Sequence, residues 1–107
     1  MSASRILVVL VTCPSVAVGR RISRVLVQKR LAACVNLVPR IESRYRWRGK
    51  VERSAETLLV IKTAAGRFAA LRRAILSLHP YECPEIIALP VFAGHAPYLG
   101  WVRESVS

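Results

Sequence analysis

The segment His79-Pro80-Tyr81-Glu82-Cys83-Pro84-Glu85 holds an imidazole, a phenol, a thiol and two carboxylates within one short loop. Imidazole and thiolate suit borderline and soft metals such as zinc and copper, and the two carboxylates add oxygen donors. No pair in the segment has the spacing of a structural zinc site. Its two prolines exclude a helix, so the same residues also read as a stiff structural loop between a helix and a strand. Cys13 follows a strand end and precedes Pro14. It reads as exposed, and as a second metal or oxidation candidate. Cys34, after Ala32-Ala33, reads as core packing, and Cys83 as a small apolar filler. His95 sits in a Gly94-His95-Ala96-Pro97 turn and is expected in solvent. Lys62, inside the apolar run TLLVIKT, requires a partner. The expected one is a carboxylate from Glu56 or from the HPYE segment.

Catalytic constellations are missing from this sequence. It contains no aspartate, which excludes a Ser-His-Asp triad and an Asp-rich magnesium site. No glycine-rich phosphate loop precedes the first helical segment. No nucleophile, base and orienting acid come together from adjacent motifs. An acylphosphatase-like enzyme would need a phosphate loop with a nearby arginine and a separate asparagine. Asn36 is the only asparagine, and the loop is missing. The expectation is a protein that is not an enzyme.

The stretch Arg44 to Lys50, RYRWRGK, concentrates cations and rings. A single-stranded nucleic-acid platform needs both on one surface, so that bases stack while phosphates are neutralised. Strand alternation separates them here. Ile41, Ser43, Tyr45 and Trp47 fall on one face, and Glu42, Arg44, Arg46 and Arg48 on the other. The stretch therefore reads as one arm of a hairpin with a basic outer row, turning at Arg48-Gly49-Lys50.

The elements that must position these groups follow from periodicity. Arg5 to Thr12 (RILVVLVT) is a β-branched apolar run, read as a strand buried on both faces. Ser15 is a candidate N-cap for an amphipathic helix over Val16–Leu31. Val18, Ile22, Val25 and Leu26 face inward, and Arg20, Arg21, Arg24, Gln28 and Lys29 outward. Ala33 to Val38 resumes a strand, with Pro39 marking an edge or bulge. Val51 starts the return arm, which runs on through Thr57 to Thr63. A second helix is expected over Ala65–Leu78, with Phe68, Leu71, Ile75 and Leu78 inward. A strand over Ile86–Phe92 and a short helix over Tyr98–Val106 complete the chain.

This order, βαββαβ with a C-terminal helix, is the α+β ferredoxin-like plan. It is read as one domain over residues 1–107. Three strands are apolar on both sides, yet two helices cover only one face. The uncovered face would be a large exposed apolar patch, so a homo-oligomer is expected. The charge of +11 creates a field that attracts anions. A basic anion- or nucleic-acid-binding module is therefore the alternative function, although nucleic acid is not the expected partner. Three widely spaced cysteines do not make a disulfide framework. No segment has the pattern of a signal peptide or a membrane span. These features give the expectation of a cytoplasmic protein with no membrane partner.

The segments KRLAACVN (29–36), YRWRGKVE (45–52), LLVIKT (58–63), HPYECPEIIALPV (79–91) and YLGWV (98–102) resemble the divalent-cation tolerance family, the CutA proteins. The resemblance runs over essentially the whole chain. It implies a compact homotrimer whose long hairpins reach across to neighbours, similar to the PII signalling proteins with their ligand clefts between subunits. The matching cleft positions are Tyr45, Trp47, Glu56, Lys62, His79, Tyr81, Glu82 and Glu85. The resemblance also implies binding of a divalent metal, copper foremost. His79 and Cys13 stand nearest to the family's ligand positions, with Leu78 where a second histidine is usual.

Overall fold

The structure, a computed structural model, describes residues 5–107. The chain runs β1 (Ile6–Cys13), α1 (Val16–Gln28), β2 (Cys34–Trp47), β3 (Lys50–Ala64), a 3-10 turn (Ala65–Arg67), α2 (Phe68–Leu78), β4 (Ile86–Pro90) and α3 (Ala96–Ser105). The four strands form one sheet in the order β2-β3-β1-β4. Every pairing is antiparallel. This is the ferredoxin-like arrangement expected from the element order.

Alternation along β1 and β3 divides the sheet into two faces. Leu7, Val9, Val11 and Cys13 of β1 and Leu59 and Ile61 of β3 point to one side. There they meet Ile22 and Leu26 of α1 and Leu71 and Ile75 of α2 in a single core. Each of these large aliphatic side chains contributes about 1.5–3 kcal/mol by leaving water. Ser15 caps α1 as expected, its hydroxyl accepting from the Val18 amide at 3.2 Å. Gly19 sits where α1 crosses β3. A Cβ there would lie 3.2 Å from Leu59 Cδ2, so the missing side chain permits the close approach.

The opposite face is partly covered. Ile6 and Ala64 point to it and are still buried, at the end where α3 packs against β1 and β3. The tail is fixed by the Arg67 Nε, which donates to the Val106 carbonyl at 2.6 Å. Farther along, Val8, Leu10, Leu58 and Val60 are half-buried, and Ile87 and Leu89 remain 50% exposed. The sequence expectation of an uncovered face is therefore met in part: the β4 side chains are exposed, the middle of the sheet is half-buried, and α3 closes one end.

The β2–β3 hairpin is longer than the sheet requires. Its arms turn through Arg48 and Gly49 with φ of 51° and 80°, the left-handed pair of a two-residue I′ connection. The register shifts between Val38 and Ile41, at Pro39 and Arg40, where Arg40 takes φ 60°. Pro39 is thus accommodated in a bulge on an edge strand, and Pro90 likewise lies on the edge strand β4.

Candidate functional site

Along the hairpin, from its root at Glu56 to its turn at Trp47, the face away from α1 and α2 forms a pocket of about 450 Å3. Its floor is the end of β1 at Thr12 and the middle of β3 at Glu56. Tyr45 and Trp47 of β2 make one wall, and the loop after α2 makes the other through Pro80, Tyr81 and Glu82, with Cys83 and Glu85 beyond. The pairings Ile41 to Glu56, Tyr45 to Glu52 and Trp47 to Lys50 place both rings on the same side of the hairpin as Glu56. The separation of rings from the Arg44 and Arg46 row is therefore real, and the ring side lines the pocket.

Arg48 departs from that row. Lying in the turn, its guanidinium folds back to 5.4 Å from the Trp47 ring centre. It also donates to Glu82 Oε2 at 2.9 Å. Both ends of this pair are largely in water, so the pair contributes about 0–1 kcal/mol.

Glu56 is 7% exposed. Its Oε2 accepts from the Tyr81 hydroxyl at 2.8 Å, and it makes no ion pair among the described residues. Burial, then the hydrogen bond to Glu56 and its charge, hold the Tyr81 phenol well above the ordinary tyrosine range. Burial, then the charge of Glu56, pushes the Cys13 thiol up to about 11.

His79 does not line the pocket; it holds the loop that does. The ring is buried, and its Nε2 lies 2.8 Å from the Thr12 carbonyl. A carbonyl only accepts, so Nε2 carries the proton. Nδ1 accepts from the Tyr81 amide at 3.1 Å. Both nitrogens are engaged, and a metal at either would have to break one of these bonds. Cys13 is also not an exposed ligand. Strand β1 runs one residue further than the apolar run suggested, so Cys13 is fully buried on the core side with Val9 and Val11. Its thiol stays protonated at neutral pH, whereas metal ligation requires the thiolate. Among the described residues no three histidine, cysteine or acidic side chains are grouped so as to hold a metal ion.

Lys62 is also placed elsewhere. It lies six residues along β3 from Glu56, roughly 20 Å at strand rise. Its ammonium bonds to Asn36 Oδ1 and to the Val60 carbonyl, with no carboxylate partner among the described residues. The neighbouring strands' register brings Asn36 into reach, which spacing along the sequence does not reveal. Of the sequence candidates, Tyr45, Trp47, Glu56, Tyr81, Glu82 and Glu85 come together. Thr12, Pro80 and Cys83 were missed as lining residues. Pro80 and Cys83 lie inside the segment already singled out, and the exposure of Cys83 corrects its reading as apolar filler. Cys34 is half-buried on the less covered face, and His95 is exposed as expected.

Fold and pocket together define a ferredoxin-like α+β protein with an acidic, aromatic-walled cleft. The family model described as "CutA1 divalent ion tolerance protein" matches residues 7–105. The Divalent-cation tolerance protein CutA of Thermus thermophilus is 50% identical over 98 residues, 92% of this chain and 95% of its own length. Human Protein CutA is 54% identical over 100 residues, 91% of this chain, which spans 56% of the human protein. Among solved structures, the Thermus thermophilus Cut A1 protein superposes with a TM-score of 0.93 at 48% identity, covering 95% of this chain and 99% of that one. CutA from Xylella fastidiosa gives 0.94 at 43% identity, with 96% and 99% covered. The chain belongs to the CutA1 divalent ion tolerance family.

Proposed function

We propose that the chain serves divalent-cation tolerance as a non-catalytic homotrimer, holding the cation in the cleft at the hairpin root. The observation that carries this reading is the distribution of charge. The chain has only six acidic residues against seventeen lysines and arginines, and Glu56, Glu82 and Glu85 all line one pocket. The three carboxylates line the pocket without being grouped closely enough to ligate one ion directly, so they suit a hard divalent ion that keeps its water shell and is held through it. A copper site built on His79 and Cys13 does not fit, because both imidazole nitrogens are bonded and the thiol is buried and protonated.

The trimer reading rests on the apolar strip Val8, Leu10, Leu58, Val60, Ile87 and Leu89, which a single copy leaves partly in water. Stacking three such strips would remove it, and would set the hairpin-root pockets near the subunit boundaries. The three free cysteines favour a reducing compartment, and the cytoplasm is the location carried forward. No helix of the described residues is long and apolar enough to cross a membrane.

The test is equilibrium dialysis with Mn2+ and Cu2+ on the wild type and on the triple variant Glu56→Gln, Glu82→Gln, Glu85→Gln. Loss of the bound ion in the variant is the expected result. Equal binding by both proteins removes the cleft from the reading.

A second reading has its own observation. Arg20, Arg21 and Arg24 on α1 and Arg72 and Arg73 on α2 are exposed, and neither helix carries an acid. That surface suits a polyanion. Binding of generic duplex DNA at low salt that weakens steeply with added salt would support it.

A further inference from the structure

Resting on the reading that the hairpin pocket is a cation site, we infer that its ligand class is a small organic dication, an alkyl diamine whose methylene stem lies on the Tyr45 and Trp47 wall while its ammonium ends meet the lining carboxylates.

Size and wall chemistry come first. A space of about 450 Å3 falls in the range of small-molecule pockets. A bare or partly hydrated metal ion fills only a fraction of it. An inorganic ion also makes no use of an indole or a phenol as wall, yet Tyr45 and Trp47 stay 43% and 41% exposed beside the carboxylates. Rings next to carboxylates are the combination that recognises organic cations, through the ring quadrupole and the burial of methylenes.

Charge gives the valence. Glu56 is buried, carries one hydrogen bond from a neutral phenol and has no cationic partner among the described residues. A desolvated anion in that state favours a cation beside it. Its uncompensated field is felt by Tyr81 and Cys13, both held protonated. Three lining carboxylates against the one guanidinium of Arg48 leave two negative charges to be matched.

The chain itself displays the recognition geometry. Arg48 places its guanidinium over the Trp47 ring and against Glu82 at once. This is a side-chain cation on the ring-and-carboxylate pair, held at a solvent-exposed position where it is easily displaced. Arg48 therefore acts as an internal competitor. Removing it should tighten binding of an external cation, an effect opposite to the ordinary loss on deleting a pocket residue.

The test uses 1,4-diaminobutane as the probe, with calorimetry and Trp47 fluorescence in a Trp101→Phe background. Trp101 stacks on Tyr98 and does not line the pocket. The expected result is saturable binding, weakened about tenfold or more by Glu56→Gln and by Glu85→Gln. Trp47→Leu should weaken it about 2- to 30-fold, the span of a cation over an indole. Arg48→Asn keeps the left-handed turn, which asparagine tolerates, and should tighten the diamine several-fold. Mn2+ binding without diamine binding overturns this inference and leaves the divalent-cation reading standing. Diamine binding without Mn2+ does the reverse, and binding of neither removes both. Diamine binding that Arg48→Asn weakens, or that neither Trp47→Leu nor Glu85→Gln alters, overturns the placement in this pocket.

Discussion

Replacing Tyr81 by phenylalanine removes the one side-chain hydrogen-bond donor among the described residues to Glu56, whose Oε2 lies 2.8 Å from the phenol oxygen. The acceptor is an ionised carboxylate that is nine-tenths buried. Hydrogen bonds to charged groups contribute about 1.5–3 kcal/mol, and leaving the charged partner unmet in a buried place pushes towards the upper part. Tyr81 itself is only half-buried, so water can enter to replace part of the bond. A loss of about 2 kcal/mol is expected. With a urea slope of about 1.5 kcal/mol/M for a chain of this size, the midpoint falls by roughly 1.3 M. Protein concentration must be equal in all samples, because assembly into the proposed trimer would contribute to apparent stability. Glu56→Gln keeps an acceptor and removes the charge, so Tyr81→Phe in that background should cost about 1 kcal/mol less. The difference is the coupling of the pair. A loss under about 0.5 kcal/mol for Tyr81→Phe, or an identical loss in both backgrounds, would refute the view that this bond organises the pocket floor.

Other consequences are independent of that pair. Gly19→Ala gains about 1 kcal/mol of helix propensity, but brings a methyl to 3.2 Å from the fully buried Leu59 and 3.3 Å from Leu37. Leu37 is half-buried and can yield, so urea denaturation should show a net change within about 1 kcal/mol, whereas Gly19→Val should cost about 2 kcal/mol. Cys83 should react with a thiol reagent in the folded protein at pH 8, while Cys13 reacts only after denaturation. Because the Cys13 thiol is raised from 9.0 to about 11 in the fold, its contribution to stability is intact below pH 9. It is lost as pH rises through 11, so urea midpoints of the wild type should fall over that window more than those of Cys13→Ala. Ile87→Lys with Leu89→Lys should convert the sedimenting species from an assembly to single chains. Wild-type protein that already sediments as single chains at micromolar concentration defeats the trimer argument.

The fold was legible because each element has a strong period. The β-branched run of β1, the 3.6-residue face of α1 and the ring-cation alternation of β2 each identify one structure, and turn chemistry at Arg48-Gly49 closes the hairpin. The pocket was legible only in part. Tyr45, Trp47, Glu56, Tyr81, Glu82 and Glu85, which the resemblance implied for a cleft between subunits, line one pocket within the single chain. Cys13 was misplaced because a single added residue of β1 decides whether it faces core or solvent. Lys62 was misassigned because its partner, Asn36, lies on a neighbouring strand, and strand register is set by packing along the whole pair. His79 was read from its donor chemistry, but its two hydrogen bonds are used to tie the loop to the end of β1. Local sequence does not report which donors a fold has already spent.

The irregularity at Pro39 and Arg40 has an effect well beyond its own position. Between Val38 and Ile41 the strand advances three residues while β3, from Leu58 to Glu56, advances two. Everything outward of that point is thereby offset by one. Were β2 to run regularly through Arg40 with no residue bulged out, Arg40 instead of Ile41 would oppose Glu56, Tyr45 and Trp47 would turn to the far side, and Arg44 and Arg46 would take their place on the side of Glu56. One bulged residue thus chooses whether the cleft offers aromatic planes to an incoming cation or guanidinium groups that repel it, and the polarity of the site depends on whether that residue is left out of the ladder or paired into it.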